Sequence, residues 1–466
     1  MMAGGSEATG SHHGHGQPKV SCTVSVFSIH TKENRPTMTN PQSTPEAVVW
    51  VAIDVAKDRH EALIEAPGWK NRKKFRVQNT AEEFRAFAQF LHGLALPVWI
   101  GFEPTGNYHR ALAYFLHTEG FHLELVSSVA LARTREAMHN SWDKNDPKDA
   151  QVILHLLKGR LTQHYHDPIV HDLNDLQELS KTHHHISLEK TRTQHRLLTH
   201  YLPLYFPEIA RYHSCSRSEW LWNLLIEFPT PRSMNQLSRD EFVRKAWNLV
   251  GRKVAKERIL TDIYLTAQSS VGIPAEESSE AVAMLRFVLR QLLTLCQLRA
   301  TIEKRAGDLL SGNEDYQRLR RIPGIGPISA LTILAEAGDL RRFSHHRQFL
   351  KFCGFDLATE QSGQFRGLSR LSKRGNARLR AVFWMAASVA VRMRENSFRA
   401  KFERYMRSDP GSADRKRKAY VAVAAKIARV TYALIRSGAD YRCFHEVAVP
   451  SGRTRSARAV EAMPTS

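Results

Sequence analysis

Cysteine is scarce in this chain. There are 5 in 466 residues: Cys22, Cys215, Cys296, Cys353 and Cys443, far apart and with no C-x-x-C pair. That argues against a disulfide framework or a cysteine zinc site and fits a reducing compartment, so a cytoplasmic location is expected. Uninterrupted apolar runs are also missing. None approaches the roughly 20 residues a membrane helix needs, and no membrane partner is expected. Acidic residues are in deficit: 46 Asp and Glu face 67 Lys and Arg, a formal charge of +21. A chain this basic usually meets a polyanion. The bland alternative is a solvated surface with no dedicated partner. Clustering of the excess between Gln361 and Arg394, where no acid occurs, favours nucleic acid.

The ends lack any globular pattern. Residues 1–46 are small, polar and His-rich ("SHHGHG"), and a floppy tract is expected rather than a metal site. Met38, just before the first globular pattern, is a plausible start. The tail 449–466 is equally polar. Between them the pattern supports an α/β domain followed by helices.

"AVVWVAIDVA" has the near-continuous apolar character of a central strand, interrupted by Asp54. "HEALIEA" and "KKFRVQN" continue a meander. "TAEEFRAFAQFLHG" is a helix with Thr80 as cap and Glu83 three residues on. "PVWIGFE" is a strand ending in Glu103, "NYHRALAYFLHTEG" a helix, "HLELVS" a strand, and "VALARTREAM" another helix. The helix opened by Asp146 is the last. The order is β-β-β-α-β-α-β-α-α, an α/β layer on a mixed sheet. We expect this domain over 47–165. A helical arm is expected over 166–312, where apolar stripes at Leu173–Leu197 and Leu285–Leu309 suggest a long hairpin or coiled coil. A mostly helical unit is expected over 313–448. The "HHH" at His183–His185 is expected to be a polar face, because consecutive helix positions point in different directions.

Four carboxylates stand out. Asp54 interrupts an apolar strand, where a lone charge is costly unless paired or metal-bound. Glu103 ends a second such strand. In "KNDPKDAQVILHLL", Asp146 would cap the helix, Pro147 would occupy its first position, and Asp149 would share a face with Asp146. Each has an ordinary alternative: strand end, turn chemistry before "PTG", or helix cap. Converging carboxylates repel, and divalent cations relieve that repulsion. An all-oxygen set favours Mg²⁺ or Mn²⁺, which supports phosphodiester chemistry.

Further on, "IPGIGPISA" has the form of a helix-hairpin-helix turn. Gly324 and Gly326 would let backbone N–H groups approach a phosphate, although an ordinary helix–helix turn has the same look. The acid-free stretch carries Arg366, Arg370, Lys373, Arg374, Arg378, Arg380, Arg392 and Arg394. In "SKRGN", Ser372 as cap would put Lys373 and Arg374 in a first helical turn, where an anion would suit them. Gly324, Gly326, Arg366, Lys373, Arg374, Asn376 and Arg380 are the candidate nucleic-acid contacts.

The series Asp54, Glu103, Asp146 and Asp149, with "VAIDVAKDRHEA", "FEPTGNYHRALAYFL" and "KNDPKDA" around it, resembles the DEDD transposases of the insertion-sequence 110 family, relatives of Piv-type DNA invertases. The resemblance runs from about Val48 to Arg394. It implies an N-terminal RNase H fold like that of Holliday-junction resolvases, with the four acids holding metal. It also implies a nucleophilic serine in an S-G pair upstream of S-K-x-G-N, which falls on Ser362 in "EQSGQFRG". A phosphoserine link to DNA, a structured guide RNA and a multimeric active unit are further implications. The competing expectations are a resolvase-like nuclease in which water attacks, and a non-catalytic nucleic-acid-binding protein.

Overall fold

The computed structural model describes residues 47–442, apart from 140–145, 214–218, 252–254, 360, 363–364, 368 and 395. The expected N-terminal extension and the tail from 449 lie outside the described residues.

The chain opens as a meander: β1 (Val49–Asp54), β2 (Arg59–Glu65) and β3 (Lys73–Gln78). Then come α1 (Ala81–His92), β4 (Val98–Phe102), α2 (His109–Thr118), β5 (His122–Leu125), α3 (Ser128–His139), α4 (Asp146–Lys158) and β6 (Gln163–His164). The strand order is β3-β2-β1-β4-β5-β6. β1 is antiparallel to β2 and parallel to β4, so the sheet is mixed. Central placement explains the apolar run of β1, in which Val49, Val51, Ala52 and Ile53 are fully buried. Thr80 caps α1 by accepting from the Glu83 N–H, as its spacing predicts. β6 was not anticipated, because two residues are too few to show a period.

Contacts group the chain into two units, 1–103 with 126–161 and 104–125 with 162–466. Within the first, α3 and α4 enclose a small core of Ala52, Leu63, Val126, Leu131, Ile153 and Leu156. Within the second, α2 is tied to the next helix, α5 (Asn174–Arg196). Arg110 donates to Asn174 Oδ1 at 2.8 Å and lies 3.8 Å from Glu178.

α5 packs along the long helix Glu280–Leu310. The buried His183 meets Glu303 across that contact at 3.1 Å, so one histidine of the triplet faces inward. The helix Glu280–Leu310 is 31 residues long. By length and composition it is apolar enough to cross a membrane, although Arg286 and Arg290 interrupt it. Its stripe of Leu285, Val288, Leu289 and Leu292 is buried in a core with Leu202, Phe206, Leu225 and Ile263. A second core gathers Leu319, Ile333, Phe349, Phe383 and Ile427 from the C-terminal helices.

Within 357–371 two nested antiparallel strand pairs make a β-finger that local patterning did not reveal. Its outer rung pairs Leu357–Ala358 with Arg370–Leu371, and its inner rung pairs Gln361–Ser362 with Phe365–Arg366.

Candidate active site

Strand register brings the first two carboxylates together. Ile53 pairs with Phe102 across the parallel β1–β4 ladder. Asp54 and Glu103 are the next residues, side by side at the C-terminal edge on strands about 4.8 Å apart. Both are partly exposed. Alternation puts them on the face that carries Ala52 and Gly101.

α4 covers that face. A Cβ on Gly101 would lie 3.2 Å from the Leu157 methyls, so the glycine is what lets the helix seat closely. Arg160 sits over the Trp99 ring at 4.8 Å, and Lys158 pairs with Glu65, which is the β2 partner of Trp50. The C-terminal end of α4 therefore lies over the start of β1 and β4, and its N-terminal end points toward Asp54 and Glu103. Asp149, Ile153 and Leu157 share one helical face. From Leu157 to Asp149 is about 12 Å of helix, and from Gly101 to Glu103 about 7 Å of strand. Asp149 thus lies toward the end of the sheet that carries the strand carboxylates. Replacing Gly101 with valine should cost about 1–3 kcal/mol by overpacking Leu157. It should also reduce metal-dependent activity, because α4 is pushed off the sheet. Thermal melts and Mn²⁺ titration of the variant check this.

Asp149 is 4% exposed. Arg135 of α3 places Nε 2.5 Å from Asp149 Oδ1, an ion pair whose angles do not make a hydrogen bond. Neither atom has a hydrogen-bond partner among the described residues. Asp54, Glu103 and Asp149 all offer carboxylate oxygens, the donor type a hard divalent cation takes. Arg135 had no sequence signal, since its role arises from the packing of α3 on α4. α4 begins at Asp146, one residue earlier than a cap there would give. The Asp146 side chain lies outside the described residues.

The C-terminal candidates divide. Gly324, at φ +91°, is packed against the helix Ala377–Ala390, and a Cβ would lie 2.1 Å from the Ala386 carbonyl oxygen. Its bare backbone serves packing. Gly326 caps the helix Pro327–Ala337, with nothing within 4 Å of the Cβ position. Ser372 is not a helix cap: the helix begins at Ala377, capped by Asn376, which accepts from the Leu379 N–H at 3.0 Å. Gly375 (φ +132°) prevents an earlier start, since a Cβ there would meet three backbone atoms at 2.6–2.7 Å. Lys373 and Arg374 accordingly sit exposed on a loop. Asn376 also donates to Glu336 at 2.6 Å, and Arg380 donates to the Lys373 carbonyl at 3.0 Å. Both hold the loop in shape. Ser362 lies on the inner rung of the β-finger, opposite Phe365. The side chains of Ser362 and Arg366 lie outside the described residues.

Residues 51–207 match a family model described as "Transposase", of the DEDD IS110 type. Residues 316–403 match the model "Transposase IS116/IS110/IS902 family". This chain belongs to the IS110/IS116/IS902 family of transposases. The chain is similar to the transposase for insertion sequence element IS1111A from Coxiella burnetii, 30% identical over 221 residues, covering 44% of this chain and 58% of that protein. A probable family 20 transposase from Pseudomonas aeruginosa is 33% identical, covering 41% and 54%. The chain thus spans a little over half the length of these relatives. An uncharacterized 43.6 kDa protein of insertion element IS110 from Streptomyces coelicolor is 22% identical over 88% of this chain and 98% of that protein. Among solved structures, RuvC from T. thermophilus in complex with Holliday junction substrate aligns at 11% identity, with a TM-score of 0.19, over 25% of this chain and 99% of that one. The first family match contains Asp54, Glu103, Asp146 and Asp149. The second contains Gly324, Gly326, Ser362, the loop residues Lys373 and Arg374, Asn376 and Arg380.

Proposed function

We propose that the protein excises and integrates its insertion element by metal-dependent cleavage and exchange of DNA strands, with Ser362 as nucleophile. The observation that carries this is the register of Asp54 with Glu103 on the face that α4 covers with the buried Asp149. Asp54, Glu103, Asp146 and Asp149 would hold the divalent cation. When bound, that cation would polarise a phosphate and offset the charge that builds up on it.

The chain's own residues supply the rest. In the first step Ser362 Oγ attacks the phosphorus and its proton passes to water. The scissile P–O bond breaks, the freed strand end leaves as a hydroxyl, and a phosphoserine ester remains. In the second step the hydroxyl of a recipient strand attacks that ester and gives its proton to water, a new P–O bond forms as the Ser362 Oγ–P bond breaks, and the serine oxygen regains a proton from water. One ester bond is made for each one broken, so no external energy source is needed. The exposed Lys373 and Arg374 and the open backbone at Gly326 would contact phosphates without reading sequence. Sequence choice would fall to a structured guide RNA through base pairing, as the family resemblance implies. A homo-oligomer would assemble around the DNA, in the bacterial cytoplasm.

The test uses the protein with Mg²⁺, labelled element-end DNA and RNA transcribed from the element's flanks. A covalent protein–DNA adduct is expected, and Ser362→Ala should eliminate it. An adduct that persists in Ser362→Ala removes the nucleophile assignment. Water-terminated cleavage with no adduct supports a resolvase-like nuclease instead.

A further inference from the structure

The geometry points to a second metal site, unrelated to the four acids: a zinc-type site formed by His122, Glu124 and His164, with His166 beside them. The two short strands β5 and β6 pair antiparallel, Glu124 opposite His164 and Leu125 opposite Gln163. The Tyr165 N–H donates to the Leu123 carbonyl at 3.0 Å, so the register continues and sets His122 opposite His166. Side chains two apart on a strand share a face. "HLE" on one strand and "HYH" on the other therefore make a two-by-two grid of metal-capable side chains on a single face. The other face carries Leu123 and Tyr165, both buried.

The distances suit a cation. One ligand atom from each of His122, Glu124 and His164 lies within 4.8 Å of the other two. His122 Nε2 is 2.8 Å from Glu124 Oε1, and His164 Nδ1 is 3.8 Å from it. In a tetrahedron with bonds of about 2.0–2.2 Å, donor atoms stand roughly 3.3–3.6 Å apart. One pair must open slightly and the other close slightly. The two imidazoles have room to do so, at 36% and 49% side-chain exposure, while the Glu124 side chain is 10% exposed and fixed. The His166 ring lies 5.1 Å from that of His164, within reach of a small rotation to a fourth position.

Two imidazole nitrogens and a carboxylate select a borderline ion such as Zn²⁺ over Mg²⁺, which prefers oxygen alone. The cation would clasp β6 to β5. β6 is two residues long, and ligands on both strands would hold a pairing that two rungs of backbone hydrogen bonding hold weakly.

The experiment is Zn²⁺ titration of the full-length protein after chelator dialysis, in excess Mg²⁺ to saturate the acidic site. It is read by calorimetry and by the visible spectrum of the Co²⁺-substituted protein. His12, His13 and His15 of the N-terminal tract are changed to alanine in every sample, so that the tract does not compete. About one equivalent of Zn²⁺ should bind, Co²⁺ should show a tetrahedral spectrum, and Asp149→Asn should leave both unchanged. His164→Ala should weaken Zn²⁺ binding by at least about tenfold, since even residues behind the ligands contribute that much. His164 is half exposed, so its variant should fold. Glu124→Gln is the second variant, with circular dichroism as the folding control. Failure to bind Zn²⁺ in the parent, or equal binding by parent and both folded variants, overturns the proposal.

Discussion

Changing Asp149 to alanine should abolish metal-dependent strand cleavage and, in the same protein, lower its melting temperature. The two effects have separate causes. Chemistry is lost because one of the four proposed metal ligands, a buried carboxylate, is removed. Charge stabilisation by a bound metal is worth several kcal/mol, so a rate loss on the order of 10³-fold is expected. Stability is lost because Arg135 stays behind. Its side chain is 15% exposed and faces Asp149 at 2.5 Å, and breaking a buried pair on one side costs about 3–5 kcal/mol. Replacing both partners with apolar residues of similar size, Arg135→Met with Asp149→Leu, should recover most of that stability, because no unpaired charge remains. It should recover none of the cleavage. If the double variant cleaves DNA, Asp149 is a structural partner of Arg135 and not a metal ligand. A single variant that neither melts lower nor loses activity would show that the buried pair does not form in solution.

The second large effect is at Gly324. Gly324→Ala should destabilise the C-terminal helices by about 3–5 kcal/mol. A methyl there meets the Ala386 carbonyl oxygen at 2.1 Å, and the residue must also hold φ at +91°. The positive φ alone costs about 1–3 kcal/mol, and overpacking against backbone costs about as much again. Gly326→Ala is the contrast. Its φ is −87° and its Cβ position is open, so stability should move by less than about 1 kcal/mol. Any loss at that position should be in DNA affinity, because a methyl stands where a phosphate would come close. Thermal melts and DNA titration at one fixed salt concentration separate the two. Equal melting temperatures for both variants would rule out the packing role of Gly324.

Much of this molecule was legible residue by residue. The strand–helix order of the first 158 residues, the Thr80 cap and the central place of β1 follow from patterns only a few residues long. So does the place of Asp54 and Glu103 at the ends of apolar strands, because an acid that closes such a strand is visible without any neighbour. Other features were hidden. Ser372 looked like a helix cap, yet Gly375 docks on backbone around residues 351–354 and delays the helix to Ala377. Gly324 looked like a phosphate turn, yet it lies against a helix more than fifty residues away in sequence. β6 and the finger at 357–371 are built of two-residue strands, which carry no period.

By itself, then, the sequence determined the types of element, the apolar faces, the basic surface and which carboxylates were out of place. These depend on residues close together in the chain, where periodicity and side-chain chemistry act directly. Only the tertiary structure decided that Asp54 stands beside Glu103, that Arg135 faces Asp149, and that two histidine-bearing strands share one rung. Those contacts depend on strand register and helix seating between residues tens of positions apart, where a shift of one residue would turn each side chain to the opposite face.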